Sequence, residues 1–180
     1  YDRLISQNYF EGNISFGSNG NNYLSNTNKL ETNITNNITY NSLDYISNFG
    51  LKNNFNFSLK NLNSIGKKTS KYKSNPQIEL ASLFNVDFSM PFEKKDENST
   101  NFLTPKISFR FNPSDMKDSS GLGRTISNGN IFALNRLGLR DTFETGRSLT
   151  LGVNYKKEKK SLEEINKFFE FNLGTVLRDK

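Results

Sequence analysis

The sequence predicts an all-β fold, an antiparallel up-and-down meander of long strands. Three observations carry this. Apolar residues recur at every second position in run after run, the period of a strand with one oily and one wet face. The runs reach about 8–13 residues, against ~5–6 for an average globular strand. Hydrophobic residues make up only 33% of the chain, yet 16 Phe and 7 Tyr sit at regular spacing, which argues against disorder.

Seven strands follow from the alternation. The first, Tyr9–Gly17, sets Phe10, Ile14 and Phe16 against Glu11, Asn13 and Ser15. In the second, Leu30–Tyr40, the apolar side carries Leu30, Ile34, Ile38 and Tyr40; in the third, Leu51–Lys60, it carries Leu51, Phe55, Phe57 and Leu59. The fourth, Gln77–Met90, aligns Ile78, Leu80, Phe84, Val86, Phe88 and Met90. The fifth, Leu103–Phe111, opposes Leu103, Pro105, Ile107, Phe109 and Phe111 to Thr104, Lys106, Ser108 and Arg110. The sixth, Ser148–Tyr155, opposes Leu149, Leu151, Val153 and Tyr155 to Thr150, Gly152 and Asn154. The seventh, Phe168–Leu177, points Phe169, Phe171, Leu173 and Leu177 one way.

A soluble sandwich alternates as well, so length decides between the readings. Strands of ~9–11 residues cross a bilayer when tilted, and a wet face nearly free of apolar residues suits a water-filled lumen. The expectation is a partial transmembrane β-barrel over residues 1–180, a fragment of a large outer-membrane barrel. Phe84, Phe88, Phe109, Leu151 and Phe171 then face lipid, while Lys106, Ser108, Arg110, Thr150 and Asn154 face the lumen. Bacterial barrels close with even strand numbers, so seven strands imply neighbours from further chain. A first residue that is Tyr1 rather than Met, and an end at Arg178-Asp179-Lys180 just after an oily strand, also read as an excised piece.

The connectors Ser18–Lys29, Leu62–Pro76, Pro91–Asn101 and Lys156–Lys167 are moderate, and residues 112–147 form a long loop. With that loop extracellular, alternation places Ser18–Lys29 and Leu62–Pro76 at the same end. Ser161 and Glu164 fit a capping box, with Leu162, Ile165 and Phe169 at helical spacing, so one helical turn competes with strand there.

Composition narrows the chemistry. Without Cys or His the chain has no thiolate, no disulfide and neither of the commonest metal ligands. The net charge of +6 favours acidic partners such as phosphates or an anionic membrane surface. No apolar run approaches the ~20 residues of a membrane helix, and no signal peptide opens the chain. Gly121-Leu122-Gly123 lacks the Gly-Lys-Ser/Thr ending of a phosphate loop and reads as flexible loop. Lys67, Lys68, Lys71 and Lys73 either meet phosphates or form a solvated loop, the second being the plainer reading. Only Tyr72 interleaves with them, so nucleic acid is not expected. Five Asn-x-Ser/Thr sites are what 28 Asn produce by chance, and most lie within strands.

The densest charge lies before the sixth strand, where Arg136, Arg140 and Arg147 accompany Asp141 and Glu144. Arginine neighbours keep a carboxylate ionised, the opposite of what acid catalysis needs. The set therefore reads as ion pairs folding the long loop over a barrel mouth, with lipid phosphates as the competing use. No enzyme, metal or cofactor is expected.

The text LTPKISFRFNPSDM at Leu103–Met116, IFALNRL at Ile131–Leu137, DTFETGRSLTLGVNYK at Asp141–Lys156 and FFEFNLGTVLRDK at Phe168–Lys180 resembles the barrel domain of the lipopolysaccharide-assembly family LptD, also called the organic-solvent-tolerance family. Tyr72–Leu83 and Asp44–Phe55 are similar to it less tightly, and before Asp44 the strands are only compatible. The resemblance implies a non-enzymatic translocon of the Gram-negative outer membrane that places lipopolysaccharide in the outer leaflet. It also implies a plug lipoprotein, LptE, inside the barrel and a periplasmic β-jellyroll bridge that delivers the lipid. Cysteines that join barrel and periplasmic domain in some members have no counterpart here, and the jellyroll and first gate strands are not in this text. Without the resemblance, the alternatives are a porin- or receptor-like barrel and a soluble β-sandwich used for binding or adhesion.

Overall fold

The computed structural model describes residues 2–9, 11–26, 28–160 and 165–179. Ten strands form one antiparallel sheet. They are β1 (Asp2–Tyr9), β2 (Gly12–Ser25), β3 (Lys29–Ser42), β4 (Tyr45–Ile46), β5 (Lys52–Lys67), β6 (Gln77–Ser89), β7 (Phe92–Lys95), β8 (Ser99–Asn112), β9 (Gly146–Lys160) and β10 (Ile165–Arg178). Eight follow one another across the sheet in the order β1-β2-β3-β5-β6-β8-β9-β10. Two-residue β4 pairs with β5, and β7 takes the place of β6 beside β8. The all-β up-and-down meander expected from the sequence is therefore present, with no helix among the described residues. The sheet is open: β1 and β10 are its edges and do not pair with each other.

Several boundaries differ from the sequence reading, each for a physical reason. The expected first strand, Tyr9–Gly17, is the meeting of two strands, β1 ending at Tyr9 and β2 starting at Gly12; Phe10 lies outside the described residues. The expected connector Ser18–Lys29 is strand as far as Ser25, because cross-strand polar pairs replace apolar ones. Ser18 Oγ donates to Asn36 Oδ1 at 2.7 Å, and Asn36 Nδ2 donates to Asn61 Oδ1 at 3.2 Å. The same ladder carries β5 through Asn61 and Asn63 to Lys67, well into the expected connector Leu62–Pro76. Between Pro91 and Asn101 the chain forms β7 and the start of β8. Ile165–Phe169 is strand rather than helical turn, and the residues 161–164 of the expected capping box lie outside the described residues. The count of seven strands, and the odd-number argument built on it, give way to eight on the main path.

Pro105 sits inside β8, where a missing N–H would break a ladder. Its carbonyl accepts from Met90 N at 3.2 Å. In an extended strand the N side of a residue points the same way as its carbonyl, so the imide nitrogen faces the step between β6 and β7, where the ladder is already interrupted.

Register sorts the side chains into rows. One row on the apolar side runs Ile14, Tyr40, Phe57, Phe84, Phe111. Another runs Phe55, Val86, Phe109, Leu149, Leu177, and a third Phe92, Leu103, Tyr155, Phe171. The apolar band crosses these rows obliquely. Register carries Phe57, the middle of the run in β5, through Phe84 and Phe111 to Arg147. That is roughly five residues short of the middle of the run Leu149–Tyr155 in β9, at ~3.3 Å per residue and ~4.8 Å per strand step an angle of roughly 50°. At one end the band gives way to Lys94, Asn101 and Lys157, at the other to the Ser18–Asn36–Asn61 ladder.

Candidate functional site

The polar side of the sheet is covered by the chain's own long loop, residues 113–145, which lies down upon it. A small apolar patch seats the loop. Leu62, Ala81 and Leu83 face the polar side and are buried against Met116 and Phe143, with Leu134 alongside. Glycines make room further along: a Cβ on Gly152 would come within 2.6 Å of the Phe132 ring, and one on Gly174 within 3.0 Å of Ile131. These two glycines face each other across β9 and β10, so Ile131 and Phe132 rest on bare backbone.

Polar contacts tie the loop along its length. Lys60 Nζ, from β5, donates to the carbonyls of Leu139 at 3.4 Å and Thr142 at 3.1 Å, with the ammonium 4.4 Å from the Phe143 ring centre. Asn112 Nδ2 donates to the Phe143 carbonyl, and Arg110 Nη2 to the Ala133 carbonyl. Asn128 reaches the Asn172 carbonyl on β10.

Arg136 is the centre of this attachment and is fully buried. Its Nε and Nη2 donate to Glu144 Oε2 and Oε1 at 2.6 and 2.8 Å, a bidentate pair. Nη1 donates to Thr150 Oγ1 at 2.8 Å and Nη2 to Ser148 Oγ at 2.9 Å, both on β9. Arg178, from β10, forms an ion pair with Glu144 as well, its Nε 2.8 Å from Oε1. One carboxylate thus joins loop, β9 and β10.

The other charges of the set behave differently. Arg140 makes no ion pair with Asp141; its guanidinium donates to Asn19 Oδ1 on β2. Arg147 pairs with Asp179 at the exposed strand ends. Asp141 is buried, its Oδ2 has no hydrogen-bond partner, and its backbone N–H donates to Asp118 Oδ1 at 3.0 Å. Burial, then the neighbouring Asp118 charge, push the Asp141 carboxyl above its ordinary range, more than Lys71, Arg140 and Lys60 pull it down. At Asp141 the pull of neighbouring cations expected from the sequence is therefore outweighed by burial and by Asp118. A cavity of about 280 Å³ lies beside it, bounded by Glu31, Asn33, Lys71, Tyr72 and Arg140 among others.

Of the residues singled out on the polar side, Ser108, Arg110 and Thr150 are buried beneath the loop rather than open to water. Ser108 Oγ donates to Asn85 Oδ1 at 2.9 Å. Lys106 holds its ammonium 5.8 Å from the Phe132 ring centre, and with Asn154 it borders a cavity of about 210 Å³. Phe84, Phe88, Phe109, Leu151 and Phe171 lie on the opposite side, 36–48% exposed and covered by none of the described residues. Sequence reasoning missed Lys60, the apolar seat and the glycine floor. Ala81 and Leu83, two apolar residues breaking the polar side of β6, were the available signal.

Among the described residues no group of three or more Asp or Glu is placed to hold a metal ion. Fold and site together define an all-β antiparallel meander with an unshielded apolar side and a loop-covered polar side. No family model matches the chain, and no curated protein matches it.

Two outcomes are expected. Removing the Glu144 carboxylate (Glu144→Ala) leaves Arg136 buried and unpaired, which costs about 3–5 kcal/mol. In double-mutant cycles read by unfolding and by protease cleavage within residues 113–145, Arg136 and Glu144 show strong coupling, while Arg140 and Asp141 show only the weak coupling of charges that make no direct pair. For Asp141 the native state holds its proton more tightly than the unfolded chain, whose ordinary value is 3.8. Its favourable contribution is therefore complete below that value and is lost as pH rises through the higher folded pKa. Asp141→Asn should remove this pH dependence and make the loop more protease-resistant at neutral pH.

Proposed function

We propose that this chain forms an arc of a large outer-membrane β-barrel, part of the translocon that assembles lipopolysaccharide into the outer leaflet without enzymatic chemistry. The observation that carries the barrel reading is the apolar band. It crosses successive strands at roughly 50° to the cross-strand direction, close to the ~35–45° by which membrane strands tilt. The seven long strands run 13–16 residues, enough to cross a bilayer at such a tilt and project beyond it. A soluble sandwich would need a second apolar layer, and the described residues supply none.

The covered polar side bears on barrel size. An eight-stranded barrel has an interior just wide enough for side chains. Here loop residues 113–145 occupy that side, so β1 and β10 cannot close on each other around them. Each edge pairs with other strands, since an open edge in lipid leaves backbone groups unsatisfied.

The lipopolysaccharide assignment rests on the resemblance of Leu103–Met116, Ile131–Leu137, Asp141–Lys156 and Phe168–Lys180 to the assembly family. Those stretches supply most of β8, about half of the loop, and most of β9 and β10; the loop and β10 meet at Glu144. A plug lipoprotein and a periplasmic jellyroll bridge are the partners that follow from the same likeness. A porin-like channel is the second reading, favoured by the inward-lying loop, which would narrow an aqueous path.

Arg substitution separates membrane from soluble readings. Phe84→Arg, Phe109→Arg and Leu151→Arg should each cost about 2–4 kcal/mol near the bilayer midplane, falling to about 0–1 near the interfaces, measured by refolding into lipid vesicles. Asn154→Arg, on the polar side, should cost far less, and equal losses at both sets would reject the barrel. Photocrosslinkers at Lys106 and Asn154 in the full protein should capture lipopolysaccharide in cells; an assembled barrel that captures none points to the channel reading.

A further inference from the structure

The sequence contains two Asn-Gly pairs, Asn19–Gly20 and Asn128–Gly129, and the fold holds them in opposite conditions. In such a pair the glycine backbone nitrogen, with no Cβ beside it, is free to attack the preceding side-chain amide. Asn19–Gly20 lies inside β2, where Asn19 faces Thr35 and Gly20 faces Ile34 on β3. The ladder fixes the extended backbone there, and Asn19 Oδ1 accepts from Arg140.

Asn128–Gly129 instead occupies an exposed turn of the loop. The bonds that hold this turn pass the glycine by. Asn130 N and Ile131 N both donate to the Ser127 carbonyl, at 3.1 and 2.9 Å, and Ser127 N donates to Asn130 Oδ1 at 2.8 Å. None of them uses the Gly129 N–H, and a Cβ on Gly129 would come no closer than 3.9 Å to any neighbour, Ser127 Oγ. The Asn128 side chain has one restraint, its Nδ2 donating to the Asn172 carbonyl on β10 at 3.2 Å. An unused nucleophile, an open approach and a single exposed restraint coincide at one peptide.

We propose that Asn128 is a self-modification site: it deamidates through a cyclic imide, and the product frees this part of the loop from β10. Gly129 N bonds to the side-chain carbonyl carbon of Asn128, whose bond to Nδ2 breaks. Nδ2 leaves as ammonia, taking the proton that Gly129 N gives up. Water then opens the imide at either carbonyl and leaves aspartate or isoaspartate. The reaction is intramolecular, so proximity supplies what a catalyst otherwise would. The product has no N–H for the Asn172 carbonyl, and it sets a carboxylate beside the cavity that Glu170 and Asn172 line. The cation bordering that cavity, Lys106, holds its ammonium 5.8 Å from the Phe132 ring centre. A contact that held the loop to β10 thereby becomes one between two acceptors, which repel. The Arg136–Glu144 pair lies elsewhere in the loop, so the release is local. The site needs only the loop seated on β10, whatever medium meets the other side of the sheet, so its failure would leave the barrel reading untouched.

The test ages the full protein at mildly alkaline pH, which favours the deprotonated backbone nitrogen, and follows both pairs by peptide mass spectrometry. Asn128 should become a mixture of aspartate and isoaspartate well ahead of Asn19, whereas the urea-unfolded chain should convert both at similar rates. Gly129→Ala should slow conversion of Asn128 roughly tenfold, because a Cβ crowds the nitrogen and narrows its backbone freedom. Asn128→Asp should show, without ageing, several-fold faster protease cleavage within residues 125–133. Both substitutions fall in the exposed turn and remove no buried group. A native protein whose Asn128 persists while the unfolded chain converts overturns the modification site, as does one whose Asn19 converts as fast. Unchanged cleavage in Asn128→Asp overturns the release of the loop.

Discussion

A single sheet has two sides and only one layer, and every other feature of this chain answers that constraint. Domains usually bury their apolar residues between two packed layers. Here seven hydrophobic residues are buried among those described, while twenty-five large ones are exposed. The apolar inventory therefore cannot be the glue that holds the chain to itself. Antiparallel ladders hold the sheet, and the period of two sends oily and wet residues to opposite sides. Each side meets a different fate: the polar side is covered by the loop, and the apolar side is left bare among the described residues.

Covering a polar side with a loop poses an electrostatic problem that arginine solves better than lysine. Loop backbone and strand side chains both carry carbonyls and hydroxyls that lose water on contact. A planar guanidinium presents five donors in a fixed fork. Arg136 uses this to satisfy Glu144, Ser148 and Thr150 from one position. Lys60, with a compact ammonium, instead gathers two loop carbonyls three residues apart. The difference in geometry matches the difference in task, joining three segments against holding one.

Much of the sheet was legible in the sequence because period-two facing is local information. The runs around Phe55–Leu59, Phe84–Phe88, Leu103–Phe111 and Leu149–Tyr155 all lie within strands. The strand extensions 18–25 and 61–67 were not legible. Ser, Asn and Gly usually signal turns, and only a neighbouring strand offering Asn36 or Asn33 turns such residues into ladder rungs. Strand β1 has shifts in register and few apolar residues, so its pattern is blurred. Charge density pointed to Arg136 and Glu144, but partner choice depends on which strand lies below. That is why Arg140 reaches Asn19, 121 positions away, rather than its neighbour Asp141.

The spread of the loop's partners has a kinetic meaning. Asn19 comes from β2, Lys60 from β5, Arg110 and Asn112 from β8, Ser148 and Thr150 from β9, and Asn172 and Arg178 from β10. Contacts so distant in sequence form only after the entropy of closing the intervening chain has been met. Strand pairing must therefore run from β2 to β10 before the loop can settle, which makes its docking a late event in assembly. A chain with one misregistered hairpin would keep the loop in solvent and open to cleavage, so the loop acts as a built-in report on whether the sheet was laid down in full.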